Sequence, residues 1–183
     1  MKRLMDIVLS LLALLLLSPV LLMGALGIVA DSGWPVFFRQ QRVGRGEQLF
    51  SMLKFRSMRV DAASGSYYTL DNDPRITRVG RFIRRTSVDE LPQILNVLKG
   101  DMSLVGPRPD VPVQQSRYKP EDWSLRCSVR PGITGLAQVR GRSEMTFQQR
   151  LDFDLEYARS ASVWLDIRIM WETLRQLGGR DGN

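Results

Sequence analysis

The sequence predicts an α+β protein: an apolar membrane-inserted helix bent at Ser18-Pro19, then a compact, helix-rich domain with a few short strands and amphipathic helices at its surface. Three observations predict it. The 24 residues from Ile7 to Ala30 carry no charge. Helical periodicity runs from Met145 to Ala158 and again from Val163 to Leu177. Between these ends lie short, partly alternating stretches punctuated by glycine and proline, the mark of strands and turns.

At 183 residues the chain has room for one domain with a core and an added membrane segment. Lys plus Arg total 26 against 19 for Asp plus Glu, a net charge of +7 that favours membranes, nucleic acid or nucleotide phosphates without choosing among them. There is no histidine. That excludes Ser-His-Asp and Cys-His catalysis and any histidine metal site, leaving carboxylates as metal ligands and nucleophiles. Cys127 is the only cysteine, so no intramolecular disulfide forms, as suits a reducing compartment.

As a straight helix Ile7–Ala30 would be roughly 36 Å long, enough for a hydrocarbon core of about 30 Å. Pro19 sits near its middle and costs about 3 kcal/mol in a plain helix, so a bend is predicted, with arms of about 18 Å each. Lys2 and Arg3 precede the run, and Arg39, Arg42, Arg45, Lys54, Arg56 and Arg59 follow it, drawing both ends to the cytoplasmic side. A re-entrant hairpin satisfies both ends; a kinked spanning helix is the plain alternative. A cleaved signal peptide ending near Ile28-Val-Ala30 fits worst, because the run is too long and its sequel too basic.

Asp31–Pro35 reads as an interfacial turn, with Trp34, Phe37 and Phe38 either among headgroups or in an ordinary hydrophobic staple. Gln40–Gly46 reads as a polar turn, and Gln48–Met58 as a strand with Lys54 and Arg56 on one side. Asp61–Pro74 is a loop in which Tyr67 and Tyr68 have no evident role. From Arg75 to Arg85 there are five arginines in eleven residues. On a helix Arg78, Arg81 and Arg85 share a face that would line a phosphate site or meet solvent or anionic lipid, while Val79, Phe82 and Ile83 pack inward.

The chemistry concentrates in Arg84–Pro109, RRTSVDELPQILNVLKGDMSLVGPRP. Asp89 and Glu90 follow Arg84 and Arg85; Pro92–Lys99 has the spacing of a short helix stopped by Gly100. Gly106-Pro107-Arg108-Pro109 then holds one guanidinium on a stiff loop. Cations flanking two acids point to a site for phosphate and a divalent metal together. The competing reading is a capping box, Ser87-Val-Asp-Glu90, with Ser87 capping a helix and Glu90 reaching back. Adjacent helical side chains diverge by roughly 100°, so Asp89 and Glu90 should divide the work, one attacking while the other orients or binds metal.

From Asp110 to Arg126 the chain reads as irregular, and Val129–Arg142 as glycine-rich turns around a strand at Leu136–Val139, with Arg140 or Arg142 available to a phosphate. No P-loop motif occurs. In the last helix Val163, Trp164, Ile167, Met170, Trp171 and Leu174 form one stripe, suited equally to a membrane surface or a core. Asp166 on that helix either reaches the acid site or is an ordinary exposed acid.

These residues together resemble the bacterial sugar transferase family, the monotopic polyprenyl-phosphate phosphoglycosyl transferases. The likeness runs through the Ser-Pro-broken apolar segment, VFFRQQRVGRGEQLF, KFRSM, DPRITRVGRFIRRTSVDELPQILNVLKGDMSLVGPRP, RPGITGLAQVRGR and DLEYARSASVWLDIRIM, nearly the whole chain. Val88 stands where leucine is usual, and the chain looks like a small catalytic unit. The resemblance implies a re-entrant helix over residues 1–33 and a catalytic domain over 34–177 on the cytoplasmic face of the bacterial inner membrane, while the short polar, glycine-rich tail at 178–183 reads as disordered. It implies transfer of a sugar 1-phosphate from a UDP-sugar to a polyprenyl (undecaprenyl) phosphate in surface glycan synthesis, releasing UMP. Asp89 would be the nucleophile of a covalent phosphosugar intermediate, with Asp89, Glu90 and Asp166 near Mg²⁺, and Lys54, Arg85 and Arg108 on the phosphates.

An aspartate is ionised at pH 7, so Asp89 needs no histidine to activate it. Two rivals remain: an Mg²⁺-dependent lipid phosphatase or pyrophosphatase, and a non-enzymatic basic module anchored at a membrane. Which sugar is moved, for which glycan, and whether the chain forms a homodimer are not legible.

Overall fold

The computed structural model describes residues 1–59, 73–141 and 145–178. Arg142, Tyr67, Tyr68, most of the predicted 61–74 loop and the tail beyond Gly178 lie outside the described residues. Helix α1 spans Lys2–Ser32 without interruption at Pro19. Ser18 Oγ donates to Leu15 O at 2.9 Å just before the proline. The two arms expected on either side of Ser18-Pro19 therefore belong to one continuous helix, which has the length and apolarity to cross a membrane. Leu11, Leu12, Leu15, Leu16, Leu22, Met23 and Leu26 along its middle are all exposed.

Both ends of α1 are tied to the domain. At the start, Lys2 Nζ lies 2.6 Å from Asp166, Arg3 donates to Val97 O and Leu98 O, and Asp6 Oδ1 accepts from Ser103 Oγ and Leu104 N. At the far end the buried Arg56 guanidinium donates to Ser32 O, Gly33 O and Trp34 O, and Asp31 accepts from Val79 N. Trp34 itself is exposed, and the peptide bond to Pro35 is cis.

Strand β1 (Phe37–Val43) pairs antiparallel with β2 (Leu49–Phe55), placing Phe38 opposite Lys54 and Arg42 opposite Phe50. The predicted Gln40–Gly46 turn is thus mostly strand: its alternating side chains extend the β1 ladder, and the reversal comes at Gly44–Gln48, around a 3-10 turn at Arg45–Glu47. Phe37 stacks on Phe55 at 5.5 Å instead of reaching away beside Trp34. Helix α2 (Arg78–Arg85) starts at Thr77, whose hydroxyl accepts from Gly80 N. It buries Ile83 and part of Val79 as expected, but Phe82 is 65% exposed.

A 3-10 turn at Val88–Glu90 leads into α3 (Gln93–Lys99), closed by Gly100 at φ 100°. Helix α3 lies along β2: Asn96 accepts from Leu53 N and donates to Ser51 O, and Val97 joins Phe50, Met52 and Met102 in a core cluster. Strand β3 (Ser103–Val105) pairs in parallel with β4 (Gly132–Thr134). The approach there is close enough that a Cβ on Gly132 would stand 2.1 Å from Gly106 N, so both chains need glycine at this crossing.

Between these strands the stretch expected to be irregular contains a 3-10 turn at Pro112–Arg117 and α4 (Pro120–Arg126), opened by Pro120 in the first turn. The strand expected at Leu136–Val139 is instead α5 (Leu136–Arg140). The Gly132–Thr134 segment takes the sheet position, and extended Gly135 turns the chain into a helix that Ala137 and Gln138 favour. Helices α6 (Phe147–Ser160) and α7 (Val163–Gly178) match the periodicity closely. On α7, Trp164, Ile167, Trp171 and Leu174 face outward, while Ile169, missing from the predicted stripe, is buried with Tyr157, Val105, Leu136 and Val139.

Candidate active site

Asp89 and Glu90 sit in the 3-10 turn between α2 and α3. Ser87 enters it in the left-handed region at φ 59° and caps nothing with its side chain, so the capping box does not form. The reason lies in tertiary contacts: Glu90 points at two cations instead of back along the chain. Lys54, near the end of β2, donates to Glu90 Oε1 at 2.7 Å, and Arg108 grips the same carboxylate with Nη2 at 2.5 Å and Nη1 at 3.3 Å. Val88, one residue before Asp89, packs on the cluster of Ile28, Val36, Phe55 and Ile83. The acid pair is therefore anchored through Val88 to a cluster that includes Ile28 of α1.

The two acids differ in environment. Glu90 is pulled to a pKa of about 2: burial opposes this, but the Arg108 and Lys54 charges and hydrogen bonds outweigh it. Asp89 is raised above its ordinary value, chiefly by burial and secondly by the Glu90 charge, against the attraction of Lys54. Its side chain is 9% exposed and accepts no hydrogen bond among the described residues. A buried carboxylate without donors among the described residues, next to one held by two cations, is an asymmetry by which two acids can divide a reactive task from an organising one.

Of the predicted phosphate binders, Lys54 and Arg108 are thus brought to the acids. Arg85 is exposed and forms no hydrogen bond or ion pair among the described residues; it is the Arg84 charge that acts on Asp89. Arg140, at the end of α5, is also exposed and forms no hydrogen bond or ion pair with either acid among the described residues. Asp166 is neither exposed nor beside the dyad. It is 0% exposed, its Oδ2 on Lys2 and its Oδ1 accepting from Tyr157 at 2.6 Å, where it secures the first turn of α1. Among the described residues no group of three acids that could hold a metal occurs, so the expected trio of Asp89, Glu90 and Asp166 does not assemble.

Residues absent from the sequence-based set complete the surroundings. Arg42 donates to Pro109 O and to Gln40 Oε1, and burial together with the Arg108 charge pushes its guanidinium below the ordinary value. Behind Arg108, buried Arg126 is paired with Asp154 at 2.8 Å and Asp110 at 3.2 Å, and Arg150 reaches Asp110 at 2.7 Å. Asp110 follows the Pro-Arg-Pro loop directly, the one hint in the sequence that this side mattered. Nothing in the local pattern of α4 marks Arg126.

The sequence model of the family described as Bacterial sugar transferase matches residues 1–180. The chain is 48% identical over 95% of its length to UDP-glucose:undecaprenyl-phosphate glucose-1-phosphate transferase of Escherichia coli K12, covering 39% of that protein. It is 45% identical over 96% to undecaprenyl-phosphate glucose phosphotransferase of Komagataeibacter xylinus, covering 35% of it. Against undecaprenyl-phosphate galactose phosphotransferase of Salmonella typhimurium LT2 the identity is 42% over 100% of the chain and 41% of the relative. The chain thus spans about two fifths of the length of these relatives. With its acid pair, arginine loop and apolar helix in one assembly, the chain belongs to the bacterial sugar transferase family.

Proposed function

We propose that this domain transfers a sugar 1-phosphate from a UDP-sugar to a polyprenyl phosphate, the relatives' undecaprenyl carrier, at the cytoplasmic face of the bacterial inner membrane, in surface glycan synthesis. The observation that carries this is the contrast within the acid pair: Asp89 buried and undonated, Glu90 fastened to Lys54 and Arg108. An Asp89 oxygen attacks the phosphorus bearing the sugar, the bond to the bridging oxygen breaks, and UMP leaves with that electron pair. Polyprenyl phosphate then attacks the same phosphorus and restores the carboxylate. Lys54 and Arg108 supply charge where the transferring phosphoryl oxygens and the departing phosphate need it.

Mg²⁺ fits this donor set. It is commonly held by one or two carboxylates plus substrate phosphates, and the Asp89 oxygens accept from no donor among the described residues. Asp89 and Glu90 would hold it, and it would neutralise the diphosphate. The lipid substrate keeps its chain in the bilayer, so the phosphate must be met at headgroup level. Support comes from Val88 packing against the cluster that includes Ile28 of α1, and from both ends of α1 being tied to one domain while its middle exposes leucines, the arrangement a re-entrant helix bent at Ser18-Pro19 requires. The outward Trp164 and Trp171 of α7 suit the same interface.

The test is intact-mass analysis of detergent-purified protein with Mg²⁺ and UDP-sugars, UDP-glucose and UDP-galactose first, for wild type and Asp89→Asn. A gain of one sugar phosphate with UMP release, absent in the variant, is expected. UMP release that needs no acceptor and leaves free sugar phosphate would instead make the protein a hydrolase.

A further inference from the structure

The Pro-Arg-Pro loop is held along its main chain at every step. Pro107 O accepts from Gly132 N at 3.0 Å, Arg108 O from Arg126 Nη2 at 2.5 Å, Pro109 O from Arg42 Nη1 at 2.9 Å, and Asp110 O from Val43 N at 2.9 Å. One of these four donors is a charged side chain almost wholly inside the protein. Arg126 has 3% of its side chain exposed, and its three nitrogens serve three residues in two segments: Nε on Asp154 of α6, and Nη1 on Asp110 and Nη2 on the carbonyl of Arg108 in the loop. Arg150 and Tyr118 both reach Asp110 and fix the acid from its other sides.

We propose that Arg126 is a positioning residue for the transfer reaction: braced by Asp154 and Asp110, it sets the backbone of Arg108 so that the guanidinium stands at the acid pair. This rests on the transferase reading above. A buried ion network is poor support for stability alone, because removing several charges from water costs about as much as their attraction returns. Here the network has a direction. Its third hydrogen bond falls on the residue whose side chain works in the site, and a guanidinium's fixed fork transmits position to that carbonyl as a single ammonium cannot. Small errors in placing such a group are amplified in rate.

The experiment is a double-mutant cycle. Arg126→Lys keeps the charge but has one nitrogen for three acceptors. It is made alone and with Arg108→Ala, and UMP release with UDP-sugar and polyprenyl phosphate is measured beside the thermal midpoint. In the wild-type background Arg126→Lys should lower kcat/KM roughly tenfold to a hundredfold. In the Arg108→Ala background the further loss should be less than about twofold, because residues acting through one another are not additive. Equal losses in both backgrounds, or no loss in the first, would overturn the proposal and leave Arg126 a support of the fold. If Arg126→Lys yields no folded protein, the same cycle with Asp154→Asn, which keeps an acceptor oxygen, gives the same two readings. An active wild type with additive losses removes this inference alone, whereas a wild type releasing no UMP from any UDP-sugar removes the transferase reading and this inference with it.

Discussion

Arg108 takes both carboxylate oxygens of Glu90, at 2.5 and 3.3 Å, while neighbouring Asp89 has no donor among the described residues. Two adjacent acids in one turn thus differ in surroundings: Glu90 holds two cations, whereas Asp89 meets no donor among the described residues.

Replacing Glu90 with Gln removes the charge that Lys54 and Arg108 share. Those cations are then free for a nucleotide phosphate, so UMP without Mg²⁺ should bind about tenfold more tightly, about 1.4 kcal/mol. Sugar-phosphate transfer should fall by more than about a hundredfold, since the cations lose their fixed geometry. Calorimetric titration with UMP decides the matter; unchanged or weaker binding would mean Glu90 does not hold these cations in solution.

Asp89→Asn should stabilise the protein while abolishing transfer. Burial raises the Asp89 pKa, so its stabilising neutral form is complete below the unfolded value and is lost as pH rises through the folded one. The melting advantage of the variant should therefore appear as pH rises through the folded Asp89 value and hold level above it, read as a higher thermal midpoint at pH 7.5 than the wild type has. Glu90 runs the other way: its contribution is complete above 4.5 and lost only as pH falls through about 2, so it adds no slope between pH 5 and 8. A lower midpoint for Asp89→Asn would contradict this.

Lys2→Met leaves Asp166 buried with Tyr157 as its remaining partner, and should cost about 3–5 kcal/mol in denaturant unfolding. The double variant Lys2→Met/Asp166→Leu should recover most of it, because no uncompensated charge remains. If Asp166 instead serves the metal, Asp166→Asn will raise the Mg²⁺ concentration needed for half-maximal activity; the geometry predicts no such change.

Single cysteines at Met1 and at exposed Glu121 should label from the same side of the membrane if α1 is re-entrant. Native Cys127 will not interfere: burial pushes its thiol up to about 11, so at pH 8 it is neutral and shielded. Labelling of the two sites from opposite faces would make α1 a spanning helix.

Much of this molecule was legible in local pattern. The uncharged run became α1, Gly100 ended α3 in the left-handed conformation, and the periodicity of α6 and α7 held to within two residues at each end. Asp89, Glu90, Lys54 and Arg108 were singled out by residue type and family likeness, since carboxylates among arginines are informative in a chain without histidine. Tertiary structure decided what those patterns cannot encode. Ser87-x-x-Glu90 fits a capping box, yet Lys54 and Arg108, distant in sequence, offer Glu90 two charged donors, a stronger attraction than one backbone amide. Leu136–Val139 looked like a strand until the glycine crossing of Gly106 and Gly132 gave the sheet to the preceding residues. Asp166 read as an exposed acid or as one reaching the acid pair, because helical spacing counts faces, whereas its burial depends on Lys2 returning from 164 residues away to neutralise it. Periodicity is a property of neighbours in the chain; the partner of a charge is set by whichever segment folds against it.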